Sequence, residues 1–166
     1  MALSPRFRFL LLFFVLLAAF EIPLLLEPVD RLLVQPFTHA IAVVSGAALN
    51  LFASGVRVAG TMIISPCFSV NMDHGCKGLE ATVFLVAAVL AFPATGRARL
   101  IAAATGMGLV QAVNLVRVVS LYLLGCYQRA WFDTFHLAIW QTIVFAVAIL
   151  YFASWTRGRT PAGAPQ

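Results

Sequence analysis

Residues 97–124 read RARLIAAATGMGLVQAVNLVRVVSLYLL. Arg97 and Arg99 open the stretch, and the apolar run that follows, residues 100–124, is long enough for a helix to cross about 30 Å of hydrocarbon. Arg117 interrupts the run seven residues before its end, among leucine and valine neighbours. An arginine inside a membrane span is costly and usually faces a partner or a wet cavity. The stretch therefore predicts a membrane protein with a polar site below one surface.

The composition indicates the same class of protein for the whole chain. Of 166 residues, 62% are hydrophobic and 10% are charged, which is typical of an integral membrane protein. A net charge of +5 would suggest nucleic acid in a soluble protein, but here the arginines flank apolar runs and act as topology signals. We therefore predict no nucleic-acid partner. We expect one membrane-embedded domain over residues 1–155 and a disordered cytoplasmic tail over residues 156–166, which is rich in Gly, Pro and Arg.

Four apolar runs are predicted to be transmembrane helices, namely residues 7–26, 76–92, 100–124 and 135–155. Pairs of arginines at 6 and 8, 97 and 99, and 157 and 159 mark their cytoplasmic ends by the positive-inside rule. The first run follows arginines as a signal peptide does, but Ala18-Ala19-Phe20 is a poor cleavage site. We therefore interpret it as an uncleaved anchor.

A fifth apolar stretch, residues 36–53, has the length of a span. The first run ends on the outer side and the second must begin there, so the chain between them crosses the membrane an even number of times, and no crossing is the simplest case. We interpret the stretch as an interfacial helix, since it also carries His39, Ser45 and Asn50. The β-branched residues of 56–72 predict a short extracytoplasmic hairpin that turns at Ser65-Pro66. The predicted fold class is an all-α integral membrane protein of about four transmembrane helices, with an interfacial helix and this hairpin.

Three reactive side chains are predicted to reach one depth. At about 1.5 Å per residue, Cys76, Arg117 and His136 each lie ~27–30 Å from the arginine-bearing end of their own run. A thiol, a guanidinium and an imidazole are the parts of a cysteine peptidase. Asn114 lies three residues before Arg117 on the same helical face, where its amide either joins this polar site or makes a helix-packing hydrogen bond.

The surroundings of Cys76 favour a reactive thiolate. We expect Asp73 to cap a helix that begins near Cys76, Gly75 to allow a sharp turn into it, and Lys77 to add a positive charge. A thiol in the first turn of a helix would also experience the positive end of the helix dipole. A bridge between Cys67 and Cys126 is compatible with this role, whereas a Cys67–Cys76 bridge would exclude it.

Two other histidines, His39 and His74, are predicted on the same side as His136. His74 is the closer rival because it lies two residues before Cys76. A residue two positions away along an extended segment points elsewhere, whereas one on another helix can face the thiol directly. We therefore favour His136 as the proton carrier.

The order and spacing of these motifs resemble the exosortase and archaeosortase family. The matching residues are GCKGLE at 75–80, then Asn114-Leu-Val-Arg117, then His136 at the head of the last span, and the Cys-x-Gly-Leu-Glu form looks most like the exosortase H subgroup. Lys77 departs from the small or polar residue usual there, and Ile139-Trp140 is bulkier than the glycine often found after the histidine. The resemblance covers roughly residues 53–155.

This resemblance implies a membrane-embedded cysteine transpeptidase or protease. The sequence contains no metal cluster, phosphate loop or nucleotide motif, so we predict no cofactor or metal. Its partners would be membrane lipid and secreted proteins with a C-terminal sorting tail of short motif, apolar span and basic end. The site would face the periplasm or extracytoplasmic side of the cytoplasmic (inner) membrane. Cys76 would form a thioester with the substrate, and His136 would move protons. Arg117 would stabilise the oxyanion or orient the substrate carbonyl, and Asn114 would bind the substrate or position Arg117.

Two alternative hypotheses of function remain, one for a different kind of enzyme and one for a non-enzymatic protein. A four-helix membrane thiol oxidoreductase would suit the outer cysteines, but the sequence has three cysteines and no Cys-x-x-Cys pair. A non-enzymatic accessory or assembly subunit would use Arg117 and Asn114 only to join helices, and it would tolerate loss of the Cys76 sulfur. A transporter is disfavoured because the middles of the spans are almost wholly apolar.

Overall fold

The computed structural model describes residues 4–72 and 77–159 of the chain, and helices dominate these ranges. Several short elements join end to end into longer helices: α2, a π-helical turn and α3 form one, and a 3₁₀ turn, α6, a second π-helical turn and α7 form another. The helices are α1 (Pro5–Leu24), α2 (Glu27–Val29), α3 (Gln35–Leu49), α4 (Leu79–Ala91), α5 (Gly96–Tyr127), α6 (Phe132–Thr134) and α7 (Trp140–Arg157). The π-helical turns are Asp30–Val34 and Phe135–Ile139.

Four helices are long and apolar enough to cross a membrane, namely Pro5–Leu24, Glu27–Leu49, Gly96–Tyr127 and Arg129–Arg157. The predicted fold class, an all-α integral membrane protein with about four such helices, is confirmed. Three of the four correspond to predicted runs. The fourth, Glu27–Leu49, includes most of the stretch predicted to be interfacial, and the structure extends that helix back to Glu27.

The predicted span at residues 76–92 is shorter than expected. Its helix, α4, has 13 residues and is therefore ~20 Å long, less than the thickness of the hydrocarbon core. It begins at Leu79, with Gly78 as a left-handed N-cap (φ +64°) and no side chain capping it. The prediction that the helix begins near Cys76 is wrong, because the helix cannot continue back through the left-handed Gly78. Asp73, the predicted cap, lies outside the described residues.

The continuity of Glu27–Leu49 has a local cause at Pro36. A proline ring within a helix crowds the carbonyl four residues earlier, which here belongs to Leu32. The π-helical turn Asp30–Val34 contains Leu32, and we attribute the wider turn to this crowding. The chain thereby continues as a helix through Pro36.

A bundle of α1, α4, α5 and α7 forms the first of two packing regions. The short α4 contacts the other three helices, and Leu85 and Val89 on it are fully buried. Buried alanines of α4 let its neighbours approach closely, as small residues do in membrane bundles: Ala81, Ala87, Ala88 and Ala91. The arginines at 6, 8, 97, 99, 157 and 159 lie at one end of this bundle, which we call the arginine end.

Close packing at Gly106 provides a test of this bundle. A Cβ atom at Gly106 would lie 2.7 Å from side-chain atoms of both Leu85 and Tyr151, whereas Gly108 has nothing within 4 Å. We expect Gly106→Leu to lower the free energy of unfolding by about 1–3 kcal/mol through overpacking, and Gly108→Leu to leave it nearly unchanged. Thermal unfolding in detergent measures both, and equal unfolding temperatures for the two variants would contradict this packing.

The second packing region surrounds the other half of α5, and we call it the site end. With 32 residues, α5 is ~48 Å long, so it extends beyond a hydrocarbon core of about 30 Å. Its C-terminal half packs against α3 and a small antiparallel sheet, around buried Leu49, Ile63, Met72, Val118 and Leu121. Although Glu27–Leu49 has the length of a span, α3 thus packs mainly on the sheet and on α5.

The sheet has three strands in the order β1 (Arg57–Ala59), β2 (Met62–Ile64) and β3 (Val70–Asn71). The predicted turn at Ser65-Pro66 lies in the β2–β3 connection, where the Ser65 hydroxyl accepts the backbone N–H of Phe68 at 3.2 Å. A second turn, not predicted, joins β1 to β2 in two residues and has Gly60 at φ +61°. Tight hairpin turns require such a left-handed residue.

Candidate functional site

Three polar residues form a stripe on one face of α5. Gln111, Asn114 and Arg117 follow one another at three-residue spacing, which places them on neighbouring turns of one helix face. Asn114 is fully buried and Arg117 is 2% exposed. Arg117 lies ~32 Å along the helix from Gly96, near the far edge of a hydrocarbon core. Buried polar groups at this position mark a functional-site candidate.

The Arg117 guanidinium is held by the helix that carries His136. Its Nη1 donates to Gln141 Oε1 at 3.2 Å, and its Nη2 donates to the backbone carbonyl of His136 at 3.1 Å. Its Nε is buried and has no hydrogen-bond partner among residues 4–72 and 77–159. Over residues 4–72 and 77–159, the one ion pair is Arg31–Glu27, so no described carboxylate neutralises Arg117. A fixed guanidinium of this kind is poised to stabilise a negative charge.

His136 lies in the π-helical turn Phe135–Ile139, so the structure brings the predicted arginine and histidine together. The contact is between the guanidinium and the main chain of His136. The imidazole is partly buried and lies against Phe132, with ring centroids 5.6 Å apart. A π-helical turn widens a helix locally and often occurs at functional sites. Arg117 therefore contacts the same turn that presents the His136 side chain.

Asn114 packs against the start of α4. A Cβ atom at Gly78 would lie 3.0 Å from Asn114 Cγ, and Gly78 has φ +64°, so both space and backbone conformation favour glycine there. One turn earlier on α5, Gln111 Nε2 donates to Thr82 Oγ1 at 3.0 Å. Thr82 in turn donates to the Gly78 carbonyl at 2.7 Å. The polar stripe thus fixes Gly78, the residue that opens α4, against α5.

Cys76 lies outside the described residues, together with Asp73, His74 and Gly75. The chain on both sides of this segment contacts α5. Met72 is fully buried in the cluster that contains Val118 and Leu121, and Gly78 lies against Asn114. Arg117 is between these two contact points in the sequence of α5. Segment 73–76 is therefore flanked by residues packed on either side of the Arg117 position.

His39 has a different setting from His136. Its Nδ1 is 2.6 Å from the Gly60 carbonyl, a hydrogen bond that ties α3 to the β1–β2 turn. This contact gives His39 a role in holding the hairpin. Of the two rival histidines, the other, His74, lies outside the described residues.

A disulfide joins Cys67 to Cys126, with their Cα atoms 5.5 Å apart. It joins the β2–β3 connection to the end of α5. The neighbouring Phe68 ring packs directly on Gly125, in the space that a larger side chain at Gly125 would occupy. The Phe68 ring lies 5.0 Å from that of Phe132, the residue that also contacts the His136 ring. The bridge therefore supports the aromatic wall beside His136. The sequence has three cysteines, so the bridge leaves Cys76 as the remaining one.

Thiol counting tests this pairing. We expect the protein denatured without reductant to take up one maleimide adduct, at Cys76, and to take up three after reduction. A Cys76→Ser protein serves as the control and is expected to take up none before reduction. Adduct masses read by peptide mapping identify the labelled cysteine. A first adduct at Cys67 or Cys126 would contradict the pairing.

Sequence reasoning missed Gln141 and Gln111. Gln141 is an amide in an otherwise apolar segment of α7, five residues after His136, and the π-helical turn brings it to Arg117. Gln111 is three residues before Asn114. The same sequence pattern could have identified both residues. Each is an uncharged amide within an apolar run, about one helical turn from a predicted site residue.

The chain was compared with protein families, curated proteins and solved structures. One family, described as transmembrane exosortase (Exosortase_EpsH), matches residues 1–154. No curated protein and no solved structure matches the chain. The family match includes residues 75–80, the Asn114-x-x-Arg117 motif and His136, and it confirms the family resemblance seen in the sequence. Because the match extends over nearly the whole chain, this protein belongs to the transmembrane exosortase family.

Proposed function

We propose that this protein is a membrane-embedded cysteine transpeptidase or protease that cleaves the C-terminal sorting tail of secreted proteins. Membership of the exosortase family implies a sorting-related function in the membrane. The observation that carries the finer proposal is Arg117, a buried guanidinium without a described counter-ion, fixed to the turn that bears His136. Such a guanidinium can stabilise the negative charge that develops on the carbonyl oxygen during acyl transfer.

Cys76 is the proposed nucleophile. Two peptide units separate Cys76 from Gly78, a reach of at most about 7 Å, and Gly78 packs on Asn114, one turn from Arg117. The Cys76 thiolate attacks the scissile carbonyl, and the carbonyl oxygen becomes an oxyanion. The buried Nε of Arg117, which no described residue accepts, offers a donor for that oxyanion or for the thiolate.

His136 is proposed to carry the proton. It takes the proton of the Cys76 thiol, and it returns that proton to the leaving amine when the tetrahedral intermediate collapses. The C–N bond breaks, and the substrate remains attached to Cys76 as a thioester. An acceptor then attacks this thioester: water gives a protease, and an amine or a lipid hydroxyl gives a transpeptidase. Asn114 keeps Gly78, and with it the Cys76 segment, against α5.

The orientation we propose has the arginine end in the cytoplasm and the site end on the extracytoplasmic side of the cytoplasmic membrane. The six arginines of the arginine end support it by the positive-inside rule. The Cys67–Cys126 bridge at the opposite end supports it independently, because disulfides persist in oxidising compartments. A substrate tail would then insert with its basic end inward and its motif at the site end.

The Cys67–Cys126 bridge also separates this proposal from the thiol-oxidoreductase alternative. Electron transfer through exchanging disulfides requires a second cysteine pair, and Cys76 has no remaining cysteine in the sequence to pair with. The bridge packs instead through Phe68 onto the wall beside His136. Its position favours a structural role in the site.

A reconstituted assay tests the proposal. The purified protein is placed in liposomes with a secreted protein that bears a motif, an apolar span and an arginine-rich end, and the substrate mass is followed. We expect a shortened product, cut at the motif, and no change in a matched substrate whose motif is scrambled. If the substrate stays intact while the protein remains folded, as judged by its thermal unfolding, an accessory role replaces the catalytic one.

A further inference from the structure

A cavity of about 300 Å³ lies at the arginine end, between the start of α5 and the end of α7. Its wall combines two arginines with hydroxyl and indole groups: Arg97, Arg159, Thr95, Thr105, Tyr151 and Trp155. The cavity is at the opposite end of the bundle from Arg117 and His136. The proposed reaction does not use it.

No described carboxylate lies among the charges at the arginine end. Within the described ranges, the helix ends that bear the arginines 6, 8, 97, 99, 157 and 159 carry no acidic residue, and none of these arginines forms an ion pair. The acidic side chains of the same helices are at their opposite ends: Glu21 near the end of α1, Glu80 in the first turn of α4, and Asp133 before α7. The protein therefore leaves the counter-charge of this end to be supplied from outside.

The two cavity arginines keep free donors. The Arg159 guanidinium lies over the Trp155 ring, 4.7 Å from its centroid, and its Nε donates to the Trp155 carbonyl at 3.2 Å. This geometry fixes Arg159, and its Nη1 and Nη2 make no hydrogen bond to any described residue. The Arg97 side chain makes no hydrogen bond or ion pair with any residue of 4–72 or 77–159. The Tyr151 hydroxyl donates to the Ala102 carbonyl at 2.9 Å and so stabilises the wall.

An apolar groove of about 410 Å³ adjoins the cavity. Pro5, Phe9, Leu10, Phe92 and Phe152 line it. Trp155 joins the two spaces, because it lines the cavity and its ring lies 5.4 Å from Phe92 and 6.3 Å from Phe152. A cationic cavity beside an apolar groove matches a molecule with an anionic head and a hydrocarbon chain.

We propose that this cavity binds the phosphate of an anionic membrane phospholipid, with an acyl chain in the adjoining groove. Arginine suits phosphate because its planar fork donates two parallel hydrogen bonds. Basic pockets between transmembrane helices at the cytoplasmic surface bind anionic headgroups in this way. Free phosphate has the same charge chemistry as the lipid headgroup, but it has no hydrocarbon chain to occupy the apolar groove lined by Phe92 and Phe152.

The test measures lipid binding to the whole purified protein in detergent, by native mass spectrometry and by the shift in unfolding temperature. The probes are phosphatidylglycerol, phosphatidylcholine and inorganic phosphate. We expect phosphatidylglycerol to bind and to raise the unfolding temperature, phosphatidylcholine to do so much less, and phosphate to produce no shift at millimolar concentration. Processing of a sorting tail is not part of the readout, so the result is independent of the proposed reaction.

Arg159→Gln and Arg157→Gln form the matched pair of variants. Both remove one positive charge at the end of the same helix, but Arg157 does not line the cavity. We expect Arg159→Gln and Arg97→Gln to weaken phosphatidylglycerol binding about tenfold, as loss of a charge-assisted hydrogen bond does, and Arg157→Gln to weaken it less than twofold. Equal losses at 157 and 159 would show diffuse charge attraction and overturn the site. A shift produced by phosphate alone would overturn the lipid assignment.

Discussion

The Cys76→Ser protein is expected to leave a tail-bearing substrate at full length, with processing reduced at least about a thousandfold. A serine hydroxyl stays protonated near neutral pH and is a poor nucleophile without a strong base, whereas a thiol ionises readily. The substitution removes one sulfur and leaves the Cys67–Cys126 bridge in place. Substrate mass, measured over time in the reconstituted system, gives the rate.

Two controls keep this result interpretable. The thermal unfolding of Cys76→Ser is compared with that of the parent, so that a loss of fold is separated from a loss of chemistry. The Cys67→Ser/Cys126→Ser protein keeps Cys76 and loses the bridge, so we expect it to retain measurable processing. Undiminished processing by Cys76→Ser would show that Cys76 is not the nucleophile and would favour the hypothesis of an accessory subunit.

Arg117→Met is expected to reduce processing by about a hundredfold or more without lowering stability. The loss follows from removing a donor aimed at a developing oxyanion. The free energy of unfolding is expected to stay the same because removing a buried charge relieves a desolvation penalty of several kcal/mol. This gain offsets the cost of leaving two acceptors, the Gln141 side-chain oxygen and the His136 carbonyl, without their donor. Arg117→Lys is expected to lose a similar amount of activity, since an ammonium cannot reproduce the two divergent hydrogen bonds.

Arg57→Met and Arg57→Lys are the matched controls. Arg57 lies exposed on β1 at the same end of the molecule, and we expect its replacement to leave processing within about twofold. If Arg117→Met instead unfolds at a clearly lower temperature, and Arg117→Lys restores both stability and processing, Arg117 joins helices and stabilises no reacting group. Processing rates and unfolding temperatures of the four variants distinguish the two roles.

The sequence predicted the helices whose apolar runs are bounded by arginines. The runs at 7–26, 100–124 and 135–155 correspond to α1, α5 and α7, because hydrophobicity sets their length and charge marks their ends. The start of α4 was misplaced because residues 76–78 are compatible with a helix by composition, whereas Gly78 adopts a left-handed conformation against Asn114. The stretch at 36–53 was interpreted as an interfacial helix from the parity of the crossings and its polar residues, whereas the structure extends this helix back to Glu27 through a π-helical turn.

The candidate site was predictable in its depth but not in its contacts. Counting residues from the arginines placed Arg117 and His136 at one level, and the structure brings them into contact. The contact itself uses the carbonyl of His136 and the amide of Gln141, which depend on the π-helical turn Phe135–Ile139. No proline or other local pattern in residues 135–139 predicts this turn, so the sequence did not reveal these contacts.

The most direct measurement of the proposed chemistry is intact-protein mass spectrometry of the enzyme during turnover. Protein and tail-bearing substrate are mixed, quenched with acid at short times, and mapped by peptide mass. We expect an adduct with the mass of the substrate portion before the cleavage point, located on the peptide that contains Cys76 and released by neutral hydroxylamine, as a thioester is. Processing that continues with Cys76 alkylated, or an adduct located on another residue, would contradict the proposal.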